Sequence, residues 1–114
     1  LRTAADRGMY TLQIGFYDGP ERADAAEQAV AAIRDQGTEA YYFHGPNRSM
    51  VTVGVFPEAA IQVTSSGTEY APGVQALQEQ FPYNLANGRK LKETHRTGEV
   101  THQPSFLVRI PGGR

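Results

Sequence analysis

An alanine-rich stretch, residues 20–36 (PERADAAEQAVAAIRDQ), is the feature of this sequence that most constrains its fold. Six alanines lie within it, and alanine has the highest helix propensity of all residues. Ala26, Val30 and Ile33 recur at i, i+4 and i+7, and Gly37 follows as a helix stop signal. The stretch therefore predicts an amphipathic helix. Because its apolar face is narrow and its side chains are small, we expect the helix to lie close against a sheet.

Alternating sequence patterns predict strands on both sides of this helix. In residues 9–17 apolar side chains alternate with polar or small ones, namely Leu12, Ile14 and Phe16 with Thr11, Gln13 and Gly15. Residues 38–43 and 49–56 are predicted as the second and third strands, joined by a turn. Asp18 is the expected N-terminal cap of the helix.

The second half of the chain has weaker patterns. We predict one helical turn at residues 57–62, a loop at 64–73, a helix at 74–81, a strand at 90–96, a loop at 98–104 and a strand at 105–110. The order strand, helix, strand, strand, helix, strand predicts an α+β fold. The specific expectation is a ferredoxin-like, or ribonucleoprotein-like, βαββαβ antiparallel sheet with both helices on one face and an extra C-terminal strand.

The length of 114 residues allows a single domain of ordinary size. We expect residues 1–8 to be an arm or linker remnant and residues 9–114 to form the domain. The chain begins at Leu1 rather than methionine, which suggests a fragment or a processed product. It contains no 18-residue apolar run and no signal-peptide pattern, so we expect no membrane insertion by this segment.

Composition excludes several classes of site. The absence of cysteine excludes disulfides, thiolate metal sites and a cysteine nucleophile. A net charge of −1 argues against a general nucleic-acid binder. The charge is unevenly spread, however, because residues 1–81 carry five basic and ten acidic side chains, whereas residues 82–114 carry six basic and two acidic ones. This basic C-terminal segment could be an ordinary solvated surface, an anion-attracting patch or a self-docking tail.

The sequence has no recognisable catalytic or metal-binding motif. His44, His95 and His102 lack the spacing of a zinc site, and no glycine pattern matches a phosphate-binding loop. The serines at 65 and 66 lack the nucleophile-elbow pattern. We therefore expect a non-catalytic protein without a metal or another cofactor.

The aromatic residues point to a binding surface. Consecutive Tyr41, Tyr42 and Phe43 must place at least one ring on each face of a sheet, so one ring would lie on the face without helices. A ring beside amide and hydroxyl groups can stack on a sugar and hydrogen-bond to its hydroxyls. The same surface could stack nucleobases, or the loop insertion or the C-terminal strand could cover it.

Three segments resemble the SPOR (sporulation-related repeat) domain. Residues 10–16 (YTLQIGF) are similar to the Y-x-V-Q-x-G-S-F opening strand of that family, and residues 50–56 (MVTVGVF) look like its R-V-x-V-G-P-F third strand. The alanine-rich helix lies between them in the same order and spacing. The resemblance covers residues 9–60, about half of the chain. Residues 62–73 look like an insertion, and residues 92–114 extend beyond an ordinary SPOR domain.

The resemblance implies a module that binds peptidoglycan glycan strands on the exposed sheet face, on the cell-wall side of a bacterial membrane. Its partners would be these strands and other cell-envelope proteins, and Gln13 matches the sheet-face glutamine of the family. The candidate glycan-binding residues are Thr11, Gln13, Tyr17, Tyr41, Arg48 and Thr52.

Two other functions stay open at this stage. A protein-interaction or structural module of the same fold would have lost the glycan surface, and its C-terminal segment would pack over the sheet. A single-stranded RNA-binding module is the third alternative. The acidic residues 1–81 and the lack of exposed aromatic residues in the third strand count against it.

Overall fold

The structure is a computed structural model that describes residues 10–110. Within that range, two α-helices and ten mostly short strands form an α+β fold. The elements are β1 (Tyr10–Tyr17), α1 (Arg22–Asp35), β2 (Ala40–His44), β3 (Ser49–Phe56), β4 (Ile61–Thr64), β5 (Gly67–Tyr70), α2 (Pro72–Gln80), β6 (Leu85–Ala86), β7 (Arg89–Lys90), β8 (Lys92–Thr94), β9 (Val100–His102) and β10 (Phe106–Arg109). The predicted arm at residues 1–8 lies outside the described residues. Neither helix in this range is long and apolar enough to cross a bilayer.

Strand β1 is the centre of the main sheet. On one side it pairs with β3, which in turn pairs with β2, and both pairings are antiparallel. On the other side β1 pairs with two strands. Residues 10–13 pair with β10 in the antiparallel direction, and residues 15–16 pair with β6 in the parallel direction. The sheet is therefore mixed. The α+β prediction is confirmed, whereas the expectation of a purely antiparallel sheet is wrong at β6.

Both helices pack on the same face of this sheet. Leu12 and Val53 lie opposite each other in β1 and β3, and both are fully buried. They share one apolar cluster with Val30 of α1 and Val74 of α2. The small residues of α1 allow the close approach that the sequence predicted, because Ala26 is also fully buried in this cluster.

Two β-bulges control which side chains reach each face. The first lies in β3 at Gly54, whose φ of +72° is a conformation that favours glycine. The second inserts one extra residue, Ile14, into β1 between the pairs that Gln13 and Gly15 form with β3. Because of this extra residue, Phe16 lies opposite Met50 on the same face as Gln13. The predicted alternation, which placed Phe16 with Leu12, is wrong after Ile14.

The second half of the chain contains more strand than its sequence predicted. Residues 64–73 are not a loop, because β4 and β5 pair as a hairpin before α2. Strands β6 and β7 form another hairpin around Asn87 and Gly88, both of which have positive φ. The Asn87 side-chain amide donates to the Asp18 carboxylate at 2.9 Å, and its Oδ1 accepts from the Asp18 backbone N–H at 3.0 Å. Asp18 thus holds this hairpin and does not cap α1, which begins at Arg22 without a side-chain cap.

Candidate binding surface on the helix-free face

The face of the main sheet opposite the helices, called here the helix-free face, collects aromatic and polar side chains. Register places these residues of β1, β2 and β3 on it: Thr11, Gln13, Phe16, Tyr41, Phe43, Met50 and Thr52. Phe106 of β10 lies opposite Gln13 and extends the face. Three strands, β1, β2 and β10, therefore contribute aromatic rings to one surface, and the contribution of β1 depends on the bulge that redirects Phe16.

A concavity of about 270 Å³ lies on this face. Its lining includes Gln13, Phe16, Phe43 and Met50, with Arg48 at the rim. The Arg48 guanidinium carbon is 4.3 Å from the centroid of the Phe16 ring, which is a cation–π distance. The concavity therefore combines an apolar floor with one charged donor. Its volume lies near the lower limit of small-molecule pockets and suits a single ring or side chain.

A row of three side-chain amides borders the concavity. The Gln13 amide Nε2 donates to Asn84 Oδ1 at 3.2 Å, and Asn84 Nδ2 donates to Gln103 Oε1 at 2.7 Å. Asn84 is 2% exposed, so these bonds satisfy polar atoms that have left water. The row fixes the orientation of Gln13 at the edge of the concavity. It also joins β1 to the segments on both sides of the β8–β9 hairpin.

The structure divides the six sequence-predicted site residues into three groups. Gln13 and Tyr41 are partly exposed and lie on the helix-free face, and Arg48 is exposed and lies at its rim. Tyr17 lies opposite Ser49 and packs against the helix-side core, so it does not join the others.

Thr11 and Thr52 form the third group, because both are fully buried under the helix-free face. The Thr11 hydroxyl donates to the Gly54 carbonyl at 2.6 Å. The Thr52 hydroxyl has no hydrogen-bond partner within residues 10–110. Neither hydroxyl is accessible to a ligand in this arrangement.

Sequence reasoning missed several residues of this surface. Phe16 was missed because the bulge at Ile14 changes the face on which it lies. Met50 shares the face of Thr52 by simple alternation in β3, so that pattern could have identified it. Asn84 was missed because β6 was not predicted, although the Asn87-Gly88 pair beside it is a strong hairpin signal. That signal could have located the hairpin and the polar residues before it.

A serine, a histidine and a glutamate also meet on the helix side of the sheet. His44 Nδ1 is 2.8 Å from Ser49 Oγ, and His44 Nε2 is 3.0 Å from the Glu27 carboxylate. Ser49 is fully buried, and its Oγ also accepts a hydrogen bond from Arg22 Nη1 at 3.0 Å. A nucleophile must reach its substrate, so this arrangement ties the β2–β3 turn to α1 and does not provide an accessible catalytic serine.

Within residues 10–110, no three His, Asp or Glu side chains lie close enough together to hold a metal ion. Comparisons with protein-family models, with curated proteins and with solved structures find no match for this chain. The two strand segments that resemble the SPOR domain belong to β1 and β3, which pair at the centre of the sheet. Function is therefore inferred from the helix-free face itself.

Proposed function

We propose that this chain is a non-catalytic module that binds glycan strands, of the kind found in peptidoglycan, on the helix-free face. The observation that carries the proposal is a concavity whose apolar floor is formed by Phe43, Met50 and the largely buried ring of Phe16, which lies against Arg48. Gln13 and Arg48 provide polar groups at its edge.

The chemistry of a pyranose matches this composition. Its C–H faces are apolar and pack on aromatic rings, whereas its hydroxyl and acetamido groups need hydrogen-bond donors and acceptors. Gln13 is held by Asn84, so it presents an oriented amide and loses little conformational entropy on binding. Arg48 provides up to five N–H donors from the rim. A neutral or carboxylate-bearing sugar would therefore find both kinds of contact.

We also propose that the chain retains a ferredoxin-like unit under its insertions. The elements β1, α1, β2, β3, α2 and β10 occur in βαββαβ order, and the spatial order β2-β3-β1-β10 is antiparallel throughout. On this interpretation the β4–β5 hairpin and residues 85–102 are insertions. Such a fold leaves one sheet face without helices, where a SPOR-like module would bind glycan in the cell envelope.

The proposal is tested by retention on purified peptidoglycan sacculi, with and without prior amidase treatment. Phe43→Ala removes a ring from the concavity, whereas Tyr42→Ala removes a ring from the opposite face of the same strand and serves as the matched control. We expect the unmodified chain and Tyr42→Ala to be retained, and Phe43→Ala to lose most of its retention. Absence of retention on both kinds of sacculi would contradict the proposal.

A protein-interaction or structural module is the second candidate, and one observation favours it. The Gln13 amide already bonds to Asn84, and the hydroxyls of Thr11 and Thr52 are buried, so three of the predicted polar contacts are engaged or covered. This candidate predicts that sacculi retain none of the variants. It also predicts that Gln13→Ala destabilises the fold without changing any glycan interaction.

A further inference from the structure

The basic C-terminal segment has a structural arrangement that the glycan proposal does not use. Four cations follow one another along β7, β8 and the turn after β8, namely Arg89, Lys90, Lys92 and Arg96, and all four are exposed. Within residues 10–110 none of them lies within ion-pair distance of a carboxylate. Their charges are therefore available to an external partner.

Strand register separates the charges of the β8–β9 hairpin onto two faces. Lys92 lies opposite His102, and Thr94 lies opposite Val100, so these four residues share one face. Glu93 lies opposite Thr101 on the other face. The Thr101 hydroxyl is 2.7 Å from His95 Nε2. One face of the hairpin therefore displays Lys92 and the His102 ring, Glu93 lies on the other face, and Glu99 lies in the connection between the two strands.

Aromatic contacts join the face that displays Lys92 and His102 to β7. The Lys90 ammonium nitrogen is 4.4 Å from the centroid of the Tyr83 ring, and the Tyr83 and His102 rings meet edge to face at 5.8 Å. Tyr83 thus holds Lys90 beside the face that displays Lys92 and His102. We refer to Tyr83, Lys90, Lys92 and His102 as the basic platform. Arg89 precedes Lys90 in β7, and Arg96 lies in the turn after β8.

We propose that the basic platform binds an acidic polysaccharide, a linear chain whose sugar units carry carboxylate or sulfate groups. A single exposed ion pair contributes only about 0.2–1 kcal/mol, so separated exposed cations bind a single small anion weakly. A linear polyanion contacts several of these cations at once and releases its condensed counterions. The distribution of four exposed cations over β7, β8 and the turn therefore fits a polymer better than a small ion.

The same surface disfavours two other polyanions. A nucleic-acid site without sequence preference stacks bases on free aromatic rings, but the ring of Tyr83 is occupied by Lys90 and His102. A membrane site normally adds bulky apolar side chains to its basic residues. The hairpin displays only Val100, which is 52% exposed, and its turn is polar. The surface therefore favours an acidic polysaccharide, either soluble or linked to a cell wall, that binds through its charges.

The experiment measures binding of the chain to polygalacturonate, to neutral dextran, to single-stranded DNA and to phosphatidylglycerol vesicles at several salt concentrations. Lys90→Gln/Lys92→Gln removes two charges from the basic platform. Arg34→Gln/Arg109→Gln removes two charges elsewhere and is the matched control, with circular dichroism to verify that both variants fold. We expect polygalacturonate to bind the unmodified chain and the control, and the affinity of the platform variant to fall about fivefold at low salt.

Three outcomes would overturn the inference: equal binding of both variants, equal binding of dextran and polygalacturonate, or tighter binding of DNA or vesicles than of polygalacturonate. The test is independent of the glycan proposal, because the platform lies outside the concavity that Phe43 lines. If Phe43→Ala loses retention on sacculi but binds polygalacturonate as the unmodified chain does, the concavity and the basic platform bind their ligands independently.

Discussion

Thr11 and Thr52 offer a matched pair for testing the packing under the helix-free face. Both threonines are fully buried, and they lie in the paired strands β1 and β3. They differ in one respect. The Thr11 hydroxyl donates to the Gly54 carbonyl at 2.6 Å, whereas the Thr52 hydroxyl has no partner within the described residues. Replacing each by valine removes a hydroxyl and keeps the shape of a β-branched side chain.

The two substitutions are therefore expected to change stability in opposite directions. A buried polar group without a partner costs about 1–3 kcal/mol, so Thr52→Val should raise the free energy of unfolding by about 1 kcal/mol. Thr11→Val removes a hydrogen bond and leaves the Gly54 carbonyl with one partner fewer. This substitution should lower the free energy of unfolding by about 1–2 kcal/mol. The difference between the variants is about 2–3 kcal/mol, with Thr52→Val the more stable.

Urea unfolding followed by circular dichroism measures this difference through the midpoint and the slope of each transition. Thermal unfolding gives an independent measurement, because 1 kcal/mol corresponds to about 4 °C in Tm for a domain of this size. The double variant serves as a control for coupling between the two sites. A Thr52→Val variant that is destabilised as much as Thr11→Val would contradict this prediction, because it would mean that the Thr52 hydroxyl has a partner.

Three further predictions concern the bulge, the β6–β7 hairpin and the rim of the concavity. Gly54→Ala should lower the free energy of unfolding by about 2–4 kcal/mol in urea, because its φ is +72° and a Cβ would lie 2.8 Å from Leu77 Cδ1. Asn87→Ala should lower the free energy of unfolding by about 1–2 kcal/mol, because the substitution removes both hydrogen bonds to Asp18 and a residue type that tolerates positive φ. Equal urea midpoints for the variant and the unmodified chain would contradict this. Arg48→Ala should weaken retention on sacculi while changing stability by less than about 1 kcal/mol, and unchanged retention would exclude Arg48 from the site.

The first half of the fold could be predicted because its patterns are local. The alanine-rich helix and the strands at residues 9–17 and 49–56 lie within two residues of their predicted bounds, since propensity and alternation act over a few neighbours. Gly15 within β1 is a general signal of a bulge or a close approach, but it does not show that Ile14 is skipped in the pairing with β3. That single residue decides that Phe16 belongs to the candidate site.

The second half was predicted less well because its strands depend on distant partners. β6 and β7 have two residues each, which is too short for a periodic pattern, and β6 is fixed by pairing with β1. Gly15 permits that pairing, because a Cβ on it would lie 3.1 Å from the Leu85 carbonyl oxygen. The strand glycine of the SPOR-like motif therefore has a structural reason in this chain, a close approach of another backbone.

Tyr17 and the two buried threonines show how far site prediction from alternation can go. Alternation correctly separated Gln13 from Leu12, because no bulge lies between them and β3 pairs with both in register. It could not show that Thr11 and Thr52 would be covered, since burial depends on neighbouring strands. Tyr17 lies beyond the bulge, where each side chain of β1 points to the face opposite to the one that simple alternation predicts.

The proposed binding of glycan on the helix-free face can be observed residue by residue with backbone amide NMR. Peptide-free peptidoglycan glycan strands, made soluble by partial digestion, are titrated into the isotope-labelled chain. If glycan binds in the concavity, the largest chemical-shift changes are expected at Gln13, Phe43, Arg48 and Met50, with small changes along α1. Changes centred on the helices or on the β4–β5 hairpin, or none at millimolar glycan, would contradict it.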